Sequence, residues 1–270
     1  MFKIALTAGH YKYESGRRCL KILDPNETRE WELNNRIADK VEALLAANYT
    51  GYQLLRTDDT TGEKNVLLQE RTDAANAFGA DFYLSIHHNA GIYGGKGGGI
   101  VAYVYTYAIE ESIAWQKDLY AALIDATGLK GNRAQPLDKA NFHECRETNM
   151  PAVLLELGFM DSPADVPVIL TEDYANKCAD AIVKVLAQRG KLEKKADPVL
   201  IQLEVLGMGS AGPQTYAVQT LLNGFIDAGV AVDGDYGSQT EKAVERYQKA
   251  RGLPVTGKVD LATWTQLLLK

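Results

Sequence analysis

The chain has 270 residues, of which 46% are apolar and 24% charged, with 29 basic side chains against 35 acidic ones for a formal charge of −6. This length predicts about two domains with enough core to fold without disulfide staples, which excludes a disordered chain and a mini-protein scaffold. From position 201 onward there are 6 basic and 7 acidic residues, so neither part offers the basic surface of a nucleic-acid binder, and no nucleic-acid partner is expected.

Cys19, Cys145 and Cys178 are an odd number with no C-x-x-C spacing, which fits free thiols and not a disulfide framework. The opening apolar run is short and ends at Gly9-His10, unlike a secretory leader. The longest charge-free stretch, 205–226, is rich in Gly, Ser, Gln and Asn and unlike a membrane segment. The expectation is synthesis in the cytoplasm without a signal peptide.

In chain order, the first 190 residues alternate short apolar runs with amphipathic stretches, the pattern of an α/β domain. Strands are predicted at 2–8, 52–55, 82–88, 100–105 and 153–157, and helices at 30–47, 65–78, 112–127 and 173–188. A Gly stop, a charged run and Pro198 then mark a linker over 190–198, dividing a domain at 1–189 from one at 199–270. The second domain reads as a small all-helical module of three helices. Within it, Val232-Asp-Gly-Asp-Tyr-Gly-Ser-Gln-Thr240 aligns without gaps to Val255-Thr-Gly-Lys-Val-Asp-Leu-Ala-Thr263. Each copy has a Gly suited to a tight turn and then starts a helix. Ser238 with Glu241 is the expected capping box of the first, and Asp260 the cap of the second.

Two of the four histidines fall where chemistry is expected. His10 ends the first apolar run and His87 ends the run 82–88; ligands bind at the carboxyl ends of strands in α/β sheets. Glu30 sits three residues before Leu33 on the stripe Leu33, Ile37, Val41, so it points inward, whereas Glu32, about 200° further round, faces water. Glu156 lies inside the apolar run Pro151-Ala-Val-Leu-Leu-Glu-Leu-Gly-Phe159, where a carboxylate is rare without a task. Two imidazoles and a carboxylate form a three-ligand zinc site with an open position, and a further carboxylate supplies a general base: the parts of metal-assisted hydrolysis. Competing motifs are missing. There is no G-x-S-x-G elbow and no H-E-x-x-H, and the glycine run 94–99 lacks the G-K-[ST] ending of a phosphate loop. Cys145 near His143 reads as packing.

Ala8-Gly9-His10, Glu30-x-x-x-Asn34, Arg71-x-x-x-Ala75-Asn76, Ser85-Ile86-His87-His88-Asn89 and Pro151-Ala-Val-Leu-Leu-Glu156-x-Gly158-Phe159 together resemble the zinc-dependent N-acetylmuramoyl-L-alanine amidases of the amidase-3 family. The resemblance covers nearly all of 1–185 and implies a twisted mixed β-sheet flanked by helices. It implies one zinc ion held by His10, Glu30 and His87, with Glu156 as the catalytic glutamate. The implied reaction hydrolyses the amide between the lactyl group of N-acetylmuramic acid and the L-alanine of the peptidoglycan stem peptide, as in an endolysin or autolysin. Alternatives are a zinc peptidase acting within the stem peptide and a non-catalytic wall-binding protein. The tail resembles the peptidoglycan-binding module 1 family through Ala217-Val-Gln-Thr-Leu-Leu222, Val232-Asp-Gly-Asp-Tyr-Gly237 and Thr263-Trp264, which implies bacterial peptidoglycan as the partner. Three features depart from the amidase pattern: His88 in place of a small residue, the loop Tyr11-Lys-Tyr-Glu-Ser-Gly16, and Cys145 before Arg146. Strand alternation places His87 on the face of Ser85 and His88 on the face of Leu84 and Ile86.

Overall fold

The computed structural model describes residues 1–196 and 202–269, in two compact units, 1–196 and 197–270. In the first unit the chain runs β1 (Phe2–Ala8), α1 (Glu30–Asn48), β2 (Tyr49–Thr50), β3 (Tyr52–Arg56), α2 (Leu68–Phe78), β4 (Phe82–Asn89) and β5 (Ile100–Tyr105). It continues through α3 (Glu110–Thr127), β6 (Leu137–Ala140), α4 (His143–Arg146), β7 (Ala152–Phe159), α5 (Val166–Ile169), α6 (Glu172–Arg189) and β8 (Glu193–Lys194). Six strands form one mixed sheet in the order β3-β1-β4-β7-β5-β6. β3, β1, β4 and β7 are mutually parallel, and β5 runs antiparallel to β7. The mixed sheet flanked by helices is the one expected.

Strand alternation sorts this sheet into two faces. Ile4, Leu6, Leu84, Ile86, Val153 and Leu155 pack under α1, α3 and α6 in the larger core. Ala5, Tyr83, Val101 and Leu154 form a smaller core on the opposite face with Ala75 of α2 and Cys145 of α4. Residues of β4 and β7 on that second face emerge, at the carboxyl ends of their strands, into a cleft.

The segment 190–196 packs with the sheet-bearing unit: Glu193 and Lys194 pair antiparallel with Thr50 and Tyr49, and the Lys195 N–H donates to Asn48 O at 2.7 Å. Positions 197 and 198, and the start of the second domain at 199–201, lie outside the described residues. Further differences are local. Helix α2 starts at Leu68, with the Leu67 N–H donating to Glu70 Oε2, and the segment 65–67 precedes it as loop. The short elements β6 and α4 were not anticipated; Leu137-Asp-Lys-Ala140 is a polar edge strand and α4 is a single turn.

The second unit holds α7 (Pro213–Ile226), α8 (Ser238–Ala250) and α9 (Leu261–Leu268) around Val218, Leu222, Val244, Tyr247 and Trp264. Its repeat is a physical one. Gln219 Oε1 accepts from the N–H groups of Asp233 and Gly234, and its Nε2 donates to Asp235 O and Thr240 Oγ1. Gln248 does the same for Thr256 and Gly257, and for Lys258 O and Thr263 Oγ1. Both amides are buried. The expected Ser238 cap is corrected: Ser238 is already the first helical residue, so the N-cap of α8 is Gly237, which has no side chain to make a capping bond. Asp260 caps α9 as expected, accepting from the Thr263 N–H at 2.8 Å.

Candidate metal centre and active site

His10 leaves β1 in a left-handed conformation, φ 67°, which a non-glycine residue adopts only when its surroundings hold it. Arg71 of α2, 2% exposed, supplies that hold by donating to Ala8 O, His10 O and Thr7 Oγ1 at 2.9–3.0 Å. Asn34 of α1 donates to Gly9 O. Gly9 is required by space, since a Cβ there would lie 2.0 Å from His87 Cε1.

Glu30 opens α1 and is 1% exposed, pointing inward while Glu32 is exposed, as the helical spacing requires. Its Oε1 lies 3.2 Å from His10 Nε2 and 3.1 Å from His87 Nδ1. The His10 and His87 rings meet edge to face with centroids 5.0 Å apart. One ligand atom from each of His10, Glu30 and His87 falls within 4.8 Å of the others. His10 Nδ1 is 2.8 Å from Glu14 Oε2; with the neutral ring's proton on that nitrogen, Nε2 turns a lone pair toward Glu30. A carboxylate facing imidazole lone pairs at such distances demands a positive charge among them, from a proton or a metal cation. Glu30 Oε2 is buried without a hydrogen-bond partner. Two nitrogens and a carboxylate oxygen with unspent acceptor capacity fit a zinc ion.

Glu156 stands on β7 directly opposite His87 in register. Beyond it the register shifts at a β-bulge, where Gly158 has φ 105° and a Cβ would strike Ile169 Cγ2 at 2.7 Å. Burial raises the Glu156 carboxyl to about 8, partly offset by His87 and reinforced by Glu30. Its Oε2 has no hydrogen-bond partner. Burial opposes charge on Glu30 as well, but hydrogen bonds from His10 and His87 hold its carboxyl far below the usual range. Burial would depress His87; Glu144, Glu30 and Glu156 together pull it up to about 10.

His88 lies on the other face of β4, buried, with Nδ1 2.8 Å from Asn34 Oδ1, and desolvation lowers its pKa to about 3. Two carboxylates near the centre escaped the sequence reading: Glu14, in a loop without periodicity, and Glu144, on the single-turn α4. The cleft has a volume of about 270 Å³ and is walled by Arg17, Leu68, Phe142, His143 and Leu154 around Glu30, His87 and Glu156. A second cavity of about 300 Å³ shares His10, Arg17, Leu68 and His87 and extends along Asn65 to Leu67.

A family model described as N-acetylmuramoyl-L-alanine amidase matches residues 4–188. The chain belongs to this amidase family. A second model, for a peptidoglycan binding domain, matches residues 211–267. Among amidase relatives, the sporulation-specific N-acetylmuramoyl-L-alanine amidase of Bacillus subtilis (strain 168) is 31% identical over 205 residues, 76% of this chain and 74% of its own length. The endolysin of Bacillus phage SPP1 is 30% identical over 192 residues, 71% of this chain and 67% of its own. The solved catalytic domain of the amidase CwlV from Bacillus (Paenibacillus) polymyxa superposes with a TM-score of 0.62 at 27% identity, covering 72% of this chain and all of that domain. The amidase of Clostridium difficile 630 gives 0.61 at 26% identity, covering 69% and 95%. Among the described residues no helix is long and apolar enough to cross a membrane.

Proposed function

We propose that this amidase hydrolyses the bond between the lactyl group of N-acetylmuramic acid and the L-alanine of the stem peptide, with one zinc ion held by His10, Glu30 and His87. The observation that carries this reading is the convergence of those three side chains within 4.8 Å, with a second acid, Glu156, facing His87 across one strand pair. Zinc, when bound, supplies Lewis acidity toward the scissile carbonyl and toward water. Glu156 takes a proton from the attacking water and returns it to the departing alanine nitrogen, which cannot leave as an anion. Of the two uncoordinated acids, Glu156 suits this work because one oxygen is unpartnered, whereas both Glu144 oxygens already accept hydroxyl protons. Residues 1–196 form the catalytic part, and the helical unit holds the enzyme on bacterial peptidoglycan, raising its local concentration at the wall.

Digestion of purified peptidoglycan, followed by mass spectrometry, tests the reading. Stem peptides with a new L-alanine amino terminus beside intact glycan strands are expected. Cuts inside the stem peptide would make the protein a peptidase, and wall binding without cleavage in the presence of zinc would make it a binding protein.

A further inference from the structure

Helix α4 carries an acid that the proposed reaction does not use. Glu144 is 3% exposed, and burying a carboxylate is costly unless its oxygens are satisfied. Its Oε1 accepts from Tyr83 Oη at 2.9 Å and its Oε2 from Ser85 Oγ at 3.0 Å. Oε2 also lies 3.7 Å from His87 Nε2. Tyr83, Ser85 and His87 alternate along β4 and so share one face, addressing a single carboxylate with a phenol, a hydroxyl and an imidazole. At 3.7 Å the imidazole contact is an ion-pair distance, longer than a hydrogen bond. His87 Nε2 is buried and has no other partner. The opposite ring nitrogen, Nδ1, faces Glu30.

We propose that Glu144 is a positioning residue for the metal centre: through Nε2 it selects the His87 tautomer that presents Nδ1 to the cation, and it fixes the plane of that ring. Tyr83 and Ser85 orient the carboxylate, and Gly9 leaves room for the ring it steers. On the far side of the centre Glu14 stands in the same relation to His10, so each imidazole has one nitrogen toward Glu30 and the other toward an outer carboxylate. Outer carboxylates of this kind set ligand orientation and basicity. This inference rests on the zinc reading above.

The test measures zinc affinity of the full-length chain by competition with a chromophoric chelator, together with thermal unfolding of the metal-free protein and the visible spectrum of the cobalt(II)-loaded form. Glu144→Gln keeps the shape and can still bond Tyr83 and Ser85 but loses the charge. Zinc affinity is expected to fall about 10- to 100-fold, with an altered cobalt spectrum and near-unchanged metal-free unfolding. Tyr83→Phe, which leaves Oε2 in place, is expected to lose much less. Glu144→Asp retains charge and should bind zinc more tightly than the Gln variant, giving a comparison should Gln impair folding. Gln and wild-type proteins with equal zinc affinity and identical cobalt spectra would overturn the proposal, as would a Gln variant binding at least as tightly as Asp. A wild-type chain that takes up no zinc would instead bring down the metal reading itself.

Discussion

A methyl group added at position 9 would lie 2.0 Å from one His87 ring carbon and 2.3 Å from its Nδ1. The imidazole must turn away to admit it, and β1 cannot yield, being hydrogen-bonded on both sides by β3 and β4. Gly9→Ala is therefore expected to weaken zinc binding at least about tenfold, read by chelator competition, with the far-ultraviolet circular dichroism unchanged. The roles of ligand and base separate in a second pair. Glu156→Gln should bind zinc as the parent does yet lose at least about 100-fold in kcat on peptidoglycan. His10→Asn should lose both zinc and activity. Asparagine is the informative replacement because it tolerates the left-handed backbone at position 10, so the loss reports the missing ring nitrogen and not released strain. Reversal of that pattern in a zinc assay would sink the role assignment. Glu30, His87 and Glu156 were legible in the sequence because each lies on a regular element whose period fixes its direction, and His10 because it closes the first apolar run. Glu14 and Glu144 were not, since a loop and a one-turn helix carry no period from which to infer what a side chain faces.

At the level of elements, the second unit is held by two buried glutamines doing identical work, one on α7 and one on α8. The turns they clasp lie 23 residues apart, Asp233 against Thr256 and Gly234 against Gly257, which is the offset of the gap-free sequence alignment. The glutamines themselves were invisible as partners because they come from helices outside the aligned segments. Gln248→Leu would leave the Thr256 and Gly257 N–H groups without their acceptor, the second of them buried, at a cost of about 2–4 kcal/mol. Gln219→Leu should cost a similar amount, and urea unfolding of both variants checks the equivalence. Asp260 makes a milder and pH-dependent contribution. Bonds from the Thr263 backbone and hydroxyl lower its carboxyl in the folded state. Its stabilisation is therefore fully present above the unfolded aspartate value and disappears as pH falls through the lower folded one. Asp260→Ala should cost about 1 kcal/mol near neutrality, and the gap from the parent should close in acid, followed by calorimetry across pH. In the first unit, strands with strong apolar alternation were read to within two residues of their ends. The polar edge strand β6 was missed, for Leu137-Asp-Lys-Ala140 looks like loop until it pairs with β5.

Across the whole molecule, the two units have separate cores, one built on the mixed sheet and one on three helices. Full-length Glu156→Gln is accordingly expected to sediment with purified cell walls as the parent does while releasing no stem peptides. Loss of wall binding in that variant would mean that retention depends on the catalytic cleft and not on the helical unit. Cys19, Cys145 and Cys178 bear on how such experiments can be built. All three are buried, and burial pushes each thiol up to about 12, so almost none is thiolate at neutral pH. The native protein should be nearly silent to maleimide reagents while folded. Exposed Lys117 and Lys249 can then each be exchanged for cysteine, one per unit, without first stripping the natural thiols from the core. Fluorophores at those two positions would let a single molecule report the arrival of each of its units at the wall.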